Sequence, residues 1–373
     1  MENNMGNLDT YHVIGIMSGT SMDGVDIAYC QFVYDGHLWT HEIVETDCIP
    51  YPKKWQLRLE NLIFQNTITY LKTHVYYGHL LGELVNEFII RHDLEGRIDF
   101  VVSHGQTVYH QPENGMTAQI GDGAAIAIKT CLPVVCDLRS SDIAAGGQGA
   151  PIVPIADIHL FPQHRFCLNL GGIANVSCKL PNGNIIGYDI CGANLLLNRL
   201  ANIANMPYDE DGQIAAKGLV NLTLLDELNS PFFFEKPYPK SLSAGWVGKS
   251  LLPILLDKYA HLSLSAKMRT TVEHIAVQIG SEIKRICQVE QITLNPDDSM
   301  LVTGGGAFNR VLMERISAKA GIRVVVPTDK VVKFKEALAM AFIGTLRMRQ
   351  TSNCLHTVTG ASRSVIGGGV YWG

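Results

Sequence analysis

Three loops of small residues, each directly after an apolar stretch, have the composition of a site for phosphate groups. Glycine lets the backbone adopt positive φ and approach a ligand closely, and successive N–H groups in such loops form concave anion sites. Thr20 and Ser21 would add hydroxyl donors, and Asp23 or Asp26 could hold Mg²⁺ directly or through water. The alternative is a set of ordinary tight turns. The candidate residues are Gly19, Thr20, Ser21, Met22, Asp23, Gly24, Val25 and Asp26 in the first loop, Gly171, Gly172 and Asn175 in the second, and Gly304, Gly305 and Gly306 in the third.

Two other stretches match known phosphate-binding fingerprints less well. Residues 243–250 differ from a Walker A motif only by Ser243 in place of the first glycine. The preceding residues 236–240 contain two prolines and cannot form the buried strand that this motif needs. Residues 121–126 begin like a dinucleotide-binding turn but lack the third glycine and a clear preceding strand. Neither stretch is predicted to bind a nucleotide, and the lack of a G-x-S-x-G elbow disfavours a serine hydrolase.

Strands and helices must hold the three loops in place, and the sequence predicts both. Apolar residues 13–16 and 25–32 flank the first loop and indicate a hairpin, as do residues 165–170 and 176–180 around the second. Asn182-Gly183 is the strongest short hairpin signal in the chain. Buried strands are also predicted at 98–102, 133–136 and 299–303, and helices within 55–92 and at 121–129, 194–203, 219–228, 270–289, from about 309, and 335–349. Strands mixed with helices predict an α/β architecture, and the repeated hairpin around a glycine turn suggests two related domains that face each other.

Composition excludes several classes of protein. The 373 residues, 47% hydrophobic and 17% charged, suit two domains that each bury a core. A net charge of −5 without a long basic stretch argues against a nucleic-acid partner. No apolar run approaches the roughly 20 residues that span a bilayer, and residues 1–10 lack the pattern of a secretory signal, so we expect a cytoplasmic protein without a membrane partner. The nine cysteines are scattered and lack zinc-type spacing, which predicts reduced thiols and no metal centre of their own.

Five segments resemble the anhydro-N-acetylmuramic acid kinase family, a branch of the actin, hexokinase and Hsp70 superfamily. They are residues 15–26, 103–112, 137–154, 169–175 and 303–307. The first three are long and unusual enough to be specific, whereas the glycine turns are shared with the whole superfamily. The resemblance implies two actin-like (ribonuclease H-like) domains around an interdomain cleft for a nucleotide and a sugar. We expect domain I at residues 1–160, to which residues 353–373 could return, and domain II at residues 161–352.

The resemblance also implies a reaction. Family members use ATP, with Mg²⁺, to phosphorylate O6 of 1,6-anhydro-N-acetylmuramic acid while water opens its anhydro ring. The product is N-acetylmuramic acid 6-phosphate, formed in the bacterial cytoplasm during peptidoglycan recycling, and the enzymes are usually homodimers. The small-molecule amino sugar would be the main partner. Two alternatives remain open from the residues alone: a kinase of this superfamily for another sugar or carboxylate, and a non-catalytic nucleotide-dependent switch.

Asp189 matches the catalytic aspartate of the family. The resemblance assigns it the role of general base, which takes a proton from the water that attacks the anomeric carbon. A positioned base contributes about 10²–10⁴-fold in rate. The structural alternative is an N-cap of the helix predicted from residue 194, because aspartate caps helices well.

Arg139, Glu336 and His104 are the candidate sugar-binding residues. Arg139 and Glu336 match family residues that contact the sugar, and an arginine fork after a strand could bind the lactyl carboxylate at two points. The alternative for Arg139 is a structural salt bridge with Asp137 or Asp142. Glu336 could instead stabilise the positive end of the last helix. His104 could line the cleft or be a structural loop histidine.

Two stretches depart from the family pattern. Family members usually carry Asp-Thr-Gly-Pro-Gly-Asn where this chain has Asp-Ile-Cys-Gly-Ala-Asn at residues 189–194. After Lys240-Ser241, a Thr-Gly-Arg-Glu sequence is replaced by Leu-Ser-Ala-Gly at residues 242–245. Both changes fall near the expected cleft, so they bear on the substrate and the rate more than on the fold.

Overall fold

A computed structural model describes residues 8–19, 22 and 24–373. The strands are β1 (Asp9–Ser18), β2 (Gly24–Tyr34), β3 (Trp39–Pro50), β4 (Phe100–Ser103), β5 (Gln106–Gln111), β6 (Met116–Ile120), β7 (Val134–Cys136), β8 (Phe166–Leu170), β9 (Ile173–Lys179), β10 (Ile185–Gly192), β11 (Ser299–Thr303), β12 (Arg323–Val325) and β13 (Gly369–Tyr371). The α-helices are α1 (Lys53–Glu60), α2 (Thr67–Arg91), α3 (Gly123–Thr130), α4 (Ser140–Ala144), α5 (Pro154–Leu160), α6 (Asn194–Ala201), α7 (Gln213–Ala216), α8 (Leu222–Asn229), α9 (Ala244–Ser250), α10 (Leu264–Val289), α11 (Arg310–Ala320), α12 (Asp329–Met348) and α13 (His356–Thr359).

The first compact unit consists of the described residues up to Phe161 together with Phe334–Gly373. Its six-stranded sheet has the order β13-β7-β4-β1-β2-β3. β1, β2 and β3 form an antiparallel meander, whereas β4 and β7 continue the sheet parallel to β1. The long helix α2 packs its buried face into this unit's core, and the spacing of that face is helical. The buried large residues of the face are Tyr77, Leu81, Val85 and Phe88.

The second unit consists of Pro162–Lys333. Its five-stranded sheet has the order β10-β9-β8-β11-β12. β8, β9 and β10 form an antiparallel meander, and β11 and β12 run parallel to β8. The meander includes the hairpin predicted at Asn182-Gly183, where the Asn184 N–H donates to the Asn182 side chain. α10, capped by the Ser263 hydroxyl, contributes a long apolar face to the core of this unit.

The two sheets share one topology. In each, three antiparallel strands are followed by two strands that join the sheet next to the first strand and parallel to it. β13 adds a sixth, antiparallel strand in the first unit only. This repeat confirms the α/β class and the actin-like plan predicted for both halves.

The chain passes between the units at residues 161/162 and 333/334. The second of these points lies within α12, which starts at Asp329. Residues 353–373 lie in the first unit, where β13 pairs with β7 and the Asn353 amide donates to the carbonyls of Ile343 and Gly367. Across the described ranges, no helix has the length and apolar character required to traverse a bilayer.

Candidate functional site

The second and third glycine loops lie directly against each other in the second unit. Gly304 has a left-handed φ of 82°, and a β-carbon there would lie 2.6 Å from Asn169 Oδ1 and 2.8 Å from the carbonyl carbon of Leu170. At Gly306 a β-carbon would approach Leu170 Cβ to 2.7 Å. Only glycine fits both positions without displacing the neighbouring loop. Two of the three predicted loops are therefore one continuous surface of main chain.

Asn194, at the first position of α6, ties this surface together. Its amide donates to the Leu170 carbonyl at 2.9 Å, and its N–H donates to the Gly171 carbonyl at 3.1 Å. The Ala193 N–H donates in turn to the Gly172 carbonyl at 2.9 Å. The start of α6 thus fixes the second loop. Asn194 was not among the predicted site residues, because nothing in its local sequence points to a partner 24 residues earlier.

A row of polar side chains crosses three strands of the sheet beside these loops. Asp189 on β10 is paired with Asn175 on β9, and Asn175 is paired with Asn169 on β8. Residues directly opposite each other on neighbouring strands project from the same face of a sheet. The flanking residues on these strands are buried and mostly apolar, so the row is a polar line in an otherwise hydrophobic surface. Asn169 joins the site as a residue that the sequence did not single out.

Asp189 is held by main-chain groups of the segment that precedes α9. Its N–H donates to the Lys240 carbonyl at 3.1 Å, and its Oδ2 accepts the Leu242 N–H at 2.8 Å. Burial raises the pKa of the Asp189 carboxyl above its ordinary value, and the hydrogen bond from Leu242 opposes this rise. A bulge follows Asp189 in the pairing with β9, and such bulges redirect side chains. Asp189 is not the N-cap of α6, since Ala193 occupies that position.

A cavity of about 540 Å³ adjoins the third loop within the second unit. Two exposed aromatic rings, Tyr208 and Phe308, form part of its wall, and Lys333 Nζ lies 5.5 Å from the centre of the Phe308 ring. Its volume falls in the range of about 300–1,000 Å³ that is usual for small-molecule sites. Aromatic walls with amides and acids nearby suit a flat heterocycle and a polyol. The lining residues are Asn194, Leu197, Asn198, Tyr208, Asp209, Glu210, Asp211, Gly305, Gly306, Phe308, Asn309, Asp329 and Lys333.

Only part of the first loop can be described. The Met22 N–H donates to the Gly19 carbonyl at 3.2 Å, and Met22 has a left-handed φ of 55°. A β-carbon at Gly24 would lie 2.5 Å from the Ile49 carbonyl oxygen, so β2 and β3 approach closely there. Thr20, Ser21 and Asp23 lie outside the described residues.

Val25 and Asp26 follow the first loop on β2 and project from opposite faces of the sheet. The Val25 side chain is fully buried in the core of the first unit, so only its main chain is available to a ligand. Asp26 is half-buried. Within the described ranges, no three His, Cys, Asp or Glu side chains cluster as a ready-made metal centre.

Arg139 and His104 form a hydrogen-bonded pair in the first unit. The His104 Nδ1–H donates to the Gly105 carbonyl at 2.8 Å, which leaves Nε2 to accept the Arg139 Nε–H at 2.9 Å. A second guanidinium donor, on Nη1, reaches the Gly149 carbonyl at 2.6 Å. Burial and then the Arg139 charge lower the pKa of His104 to about 3, so this ring is neutral at physiological pH. Burial lowers the pKa of Arg139 to about 10, opposed by the charge of Glu336, and Arg139 stays cationic.

The two carboxylates proposed as salt-bridge partners of Arg139 have other partners. Asp142 is fully buried and accepts the Gly149 N–H at 2.8 Å and the Thr359 hydroxyl at 2.7 Å. Asp137 accepts the Ser140 hydroxyl. Asp142 therefore holds the loop that supplies the Gly149 carbonyl to Arg139, and its charge also favours the cationic form of Arg139.

Glu336 lies near Arg139 but not at a helix end. α12 begins at Asp329, six residues before the predicted start, so Glu336 falls in its third turn. The helix dipole acts mainly within the first turn, which removes the alternative role considered for this residue. The charge of Glu336 instead favours the cationic form of Arg139.

The two stretches that depart from the family pattern contribute mainly their main chain to this site. Ile190 and Cys191 have fully buried side chains in the core of the second unit. Leu242 contacts Asp189 through its N–H, and Ser243 caps α9 by accepting the Trp246 N–H. The changed side chains thus serve packing and helix capping, while the contacts to Asp189 and to the second loop are made by peptide groups.

Comparison with known proteins gives a consistent result over nearly the whole chain. A family model described as anhydro-N-acetylmuramic acid kinase matches residues 11–373. The anhydro-N-acetylmuramic acid kinase of Vibrio cholerae is 35% identical, over 96% of this chain and 98% of that protein. That of Pasteurella multocida is also 35% identical, over 97% of each chain. A solved structure with a similar trace is the activator of the 2-hydroxyisocaproyl-CoA dehydratase from Clostridium difficile with bound ADPNP, with a TM-score of 0.44 and 15% identity over 88% of this chain and 92% of that chain.

Proposed function

The chain belongs to the anhydro-N-acetylmuramic acid kinase family, and we propose which of its residues carry out the reaction of that family. It is a phosphotransferase that opens the 1,6-anhydro ring of 1,6-anhydro-N-acetylmuramic acid with water and phosphorylates O6 with ATP. The product, N-acetylmuramic acid 6-phosphate, belongs to peptidoglycan recycling. We further propose that the enzyme works in the cytoplasm as a homodimer, as is usual in the family.

The nucleotide is proposed to occupy the cavity beside the third loop. The adenine would stack on Phe308 or Tyr208, and the phosphates would run along the glycine surface that Gly305 and Gly306 share with the second loop. The close approach of Gly306 to Leu170 supports this path, since a side chain at either loop would fill it. The main chain of the first loop, residues 19–26, is also proposed to bind phosphate.

Mg²⁺ is proposed to accompany the nucleotide. This ion usually takes one or two protein carboxylates in addition to phosphate oxygens, so it needs no cluster of protein ligands. Asp26, half-buried at the start of β2, and Asp23 are the acidic residues of the first loop that could hold it. The ion would neutralise phosphate charge, and the glycine loops would supply N–H donors to phosphate oxygens.

Asp189 is proposed as the general base. Its carboxylate takes a proton from water as the water oxygen bonds to C1 of the sugar, and the bond between C1 and O6 breaks. O6 then attacks the γ-phosphorus and ADP leaves. The observation that favours Asp189 is its half-buried carboxylate, fixed by the Leu242 N–H and raised in pKa by burial, which makes it a stronger base than an exposed aspartate. The fixed main-chain contacts align it, and alignment accounts for much of such catalysis.

Arg139 is proposed to bind the lactyl carboxylate of the sugar. Two of its five N–H donors are engaged by His104 and Gly149, which orients the guanidinium, and its remaining donors are proposed to face the ligand. His104 is proposed to act beside the sugar as a neutral ring that fixes this orientation, because its Nε2 accepts the Arg139 Nε–H. Glu336 is proposed to contact a sugar hydroxyl close to the Arg139 charge.

Replacement of Asp189 by asparagine tests the assignment. With ATP, Mg²⁺ and anhydro-N-acetylmuramic acid, ADP release by Asp189→Asn should fall by about 10²–10⁴-fold while the protein stays folded. Asp298→Asn is the matched control, because Asp298 is a half-buried carboxylate of the same unit, paired with Arg165 at 3.0 Å. It should retain turnover. If Asp189→Asn kept more than about a tenth of the wild-type rate, the general-base role would be lost.

A further inference from the structure

A buried ion pair anchors the segment that holds Asp189. Lys240 Nζ lies 2.6 Å from Glu282 Oε1, and the two side chains are only 3% and 4% exposed. Breaking a pair at this depth leaves an uncompensated charge, so the structure resists separation of the two groups. Glu282 belongs to α10, the long central helix of the second unit. Lys240 belongs to the irregular segment before α9.

Both ends of the pair are fixed by further contacts. Glu282 Oε2 accepts the Tyr188 hydroxyl at 2.9 Å, and Arg285 lies 3.6 Å from Oε1. The Lys240 ammonium lies 5.0 Å from the centre of the Phe233 ring. The Lys240 side chain is therefore paired with α10 and packed near two aromatic rings, Tyr188 of β10 and Phe233.

The main chain of this segment contacts Asp189 at two points. The Lys240 carbonyl accepts the Asp189 N–H at 3.1 Å, and the Leu242 N–H donates to Asp189 Oδ2 at 2.8 Å. The same residue, Lys240, thus carries the anchor in its side chain and one of the two contacts in its backbone. The second contact follows two residues later, too near for the chain to decouple them.

We propose that Lys240 and Glu282 are positioning residues for Asp189, a role that rests on the proposed function of Asp189 as general base. They fix the Leu242 N–H against the Asp189 carboxylate, and this hydrogen bond stabilises the charged form. Without the anchor, the Leu242 N–H would move away from the Asp189 carboxylate. Burial alone would then set the pKa of that carboxyl. Asp189 would become harder to deprotonate and less well aimed at the attacking water.

The other titratable groups around Asp189 allow a clear readout. Lys240 and Glu282 lie on the elements packed against it, and Cys191 lies on its own strand. Burial raises the pKa of the Cys191 thiol, so that group stays protonated across the range of the assay. On the proposed function, deprotonation of Asp189 gives the acid limb of the pH–rate profile. A shift of that limb reports on the Leu242 hydrogen bond.

The test compares pH profiles of kcat/KM for the sugar in Lys240→Met and wild type. The acid limb of Lys240→Met should move to higher pH by about one unit, and kcat should fall more than the KM for ATP rises. Lys240→Arg, which keeps the cation, should bring the acid limb most of the way back to its wild-type position. Tyr188→Phe removes one hydrogen-bond donor from Glu282 and retains the packing, so it should shift the acid limb in the same direction by a smaller amount. This variant provides the test if Lys240→Met does not fold.

Glu273→Gln is the matched control on the same helix. Glu273 is a buried carboxylate of α10 paired with Arg315 at 2.7 Å, away from Asp189. It should lower the unfolding temperature and leave the acid limb in place. The proposal is overturned if the limbs of Lys240→Met and Tyr188→Phe coincide with that of wild type, or if Glu273→Gln moves the limb equally. Retention of turnover by Asp189→Asn would instead overturn the general-base assignment, so the two failures are distinct.

Discussion

Replacement of Arg139 by lysine examines how the enzyme recognises the charged end of its sugar. Lysine keeps the positive charge but loses the planar fork that binds a carboxylate at two points. In the structure, the Arg139 Nε–H is engaged by His104 and an Nη1 donor by Gly149. Lysine has three donors on a single nitrogen, so it cannot keep both structural contacts and also bind the ligand in the same geometry. Arg139→Lys should therefore bind the sugar carboxylate through one bond or none.

The expected loss follows from the strength of one charge-assisted hydrogen bond. Such a bond contributes about 1.5–3 kcal/mol, so loss of one should lower kcat/KM for the sugar about 10- to 150-fold. The ratio of kcat/KM for wild type to kcat/KM for the variant should stay constant between about pH 5 and pH 8, because the pKa of His104 is about 3 and that of Arg139 about 10. Neither group changes charge in that window.

The assay measures ADP release with anhydro-N-acetylmuramic acid and with its methyl ester, which lacks the negative charge. Wild type should prefer the free acid strongly, and Arg139→Lys should lose most of that preference with little change in the KM for ATP. Arg347→Lys is the matched control, since Arg347 is a half-buried arginine of the same unit whose Nε donates to the Gly368 carbonyl. An equal loss for acid and ester in Arg139→Lys would refute carboxylate recognition and leave Arg139 as a support for its loop.

Three further predictions concern the second unit. Gly304→Ala should raise the KM for ATP at least about tenfold, because a β-carbon at residue 304 would clash with the second loop. Gly321 also has a positive φ but lies in open space, so the control Gly321→Ala should cost only about 1 kcal/mol of stability. Phe308→Ala should raise the KM for ATP about 2- to 12-fold through lost stacking, and Phe232→Ala, an exposed phenylalanine outside the cavity lining, should not change it. Burial lowers the pKa of His274 from 6.5 to about 3. Between these two pH values His274 is protonated in the unfolded chain but neutral in the folded protein. The folded state therefore loses stability as the pH falls from 6.5 towards 3. In urea unfolding, the unfolding free energy should decrease between pH 7.5 and pH 5 by about 2 kcal/mol less in His274→Leu than in wild type.

The strands around the first two glycine loops could be predicted because their signals are local. Apolar runs that flank small residues specify a hairpin without reference to the rest of the chain, and β1 with β2 and β8 with β9 form as predicted. β3 was not predicted. It lies at the edge of its sheet, and polar residues such as Thr40, Glu42 and Glu45 interrupt its apolar pattern. An edge strand with one exposed side carries a weaker pattern than a central strand.

The candidate site also contains some residues that the local sequence marks and others that only the fold brings together. The glycines and Asp189 could be selected from the sequence, because a turn type or a family pattern marks them. Lys240 and Glu282 could not, since they are 42 residues apart and their pairing is created by the fold. The aromatic wall of the cavity was missed for the same reason, because nothing local distinguishes Phe308 from other exposed phenylalanines.

The residues near Asp189 that differ from the family pattern do not contact its carboxylate through their side chains. At residues 190 and 191 the substituted side chains are buried in the core, and at residue 242 the contact to Asp189 is a peptide N–H that almost any residue supplies. The proposed base depends on the position of this peptide group, and the Lys240–Glu282 pair is proposed to fix that position. Since a main-chain donor depends on backbone position rather than on side-chain identity, the contact to Asp189 places little constraint on the side chain at residue 242. We therefore expect proline at position 242, which removes the N–H, to impair the enzyme far more than any other residue placed there.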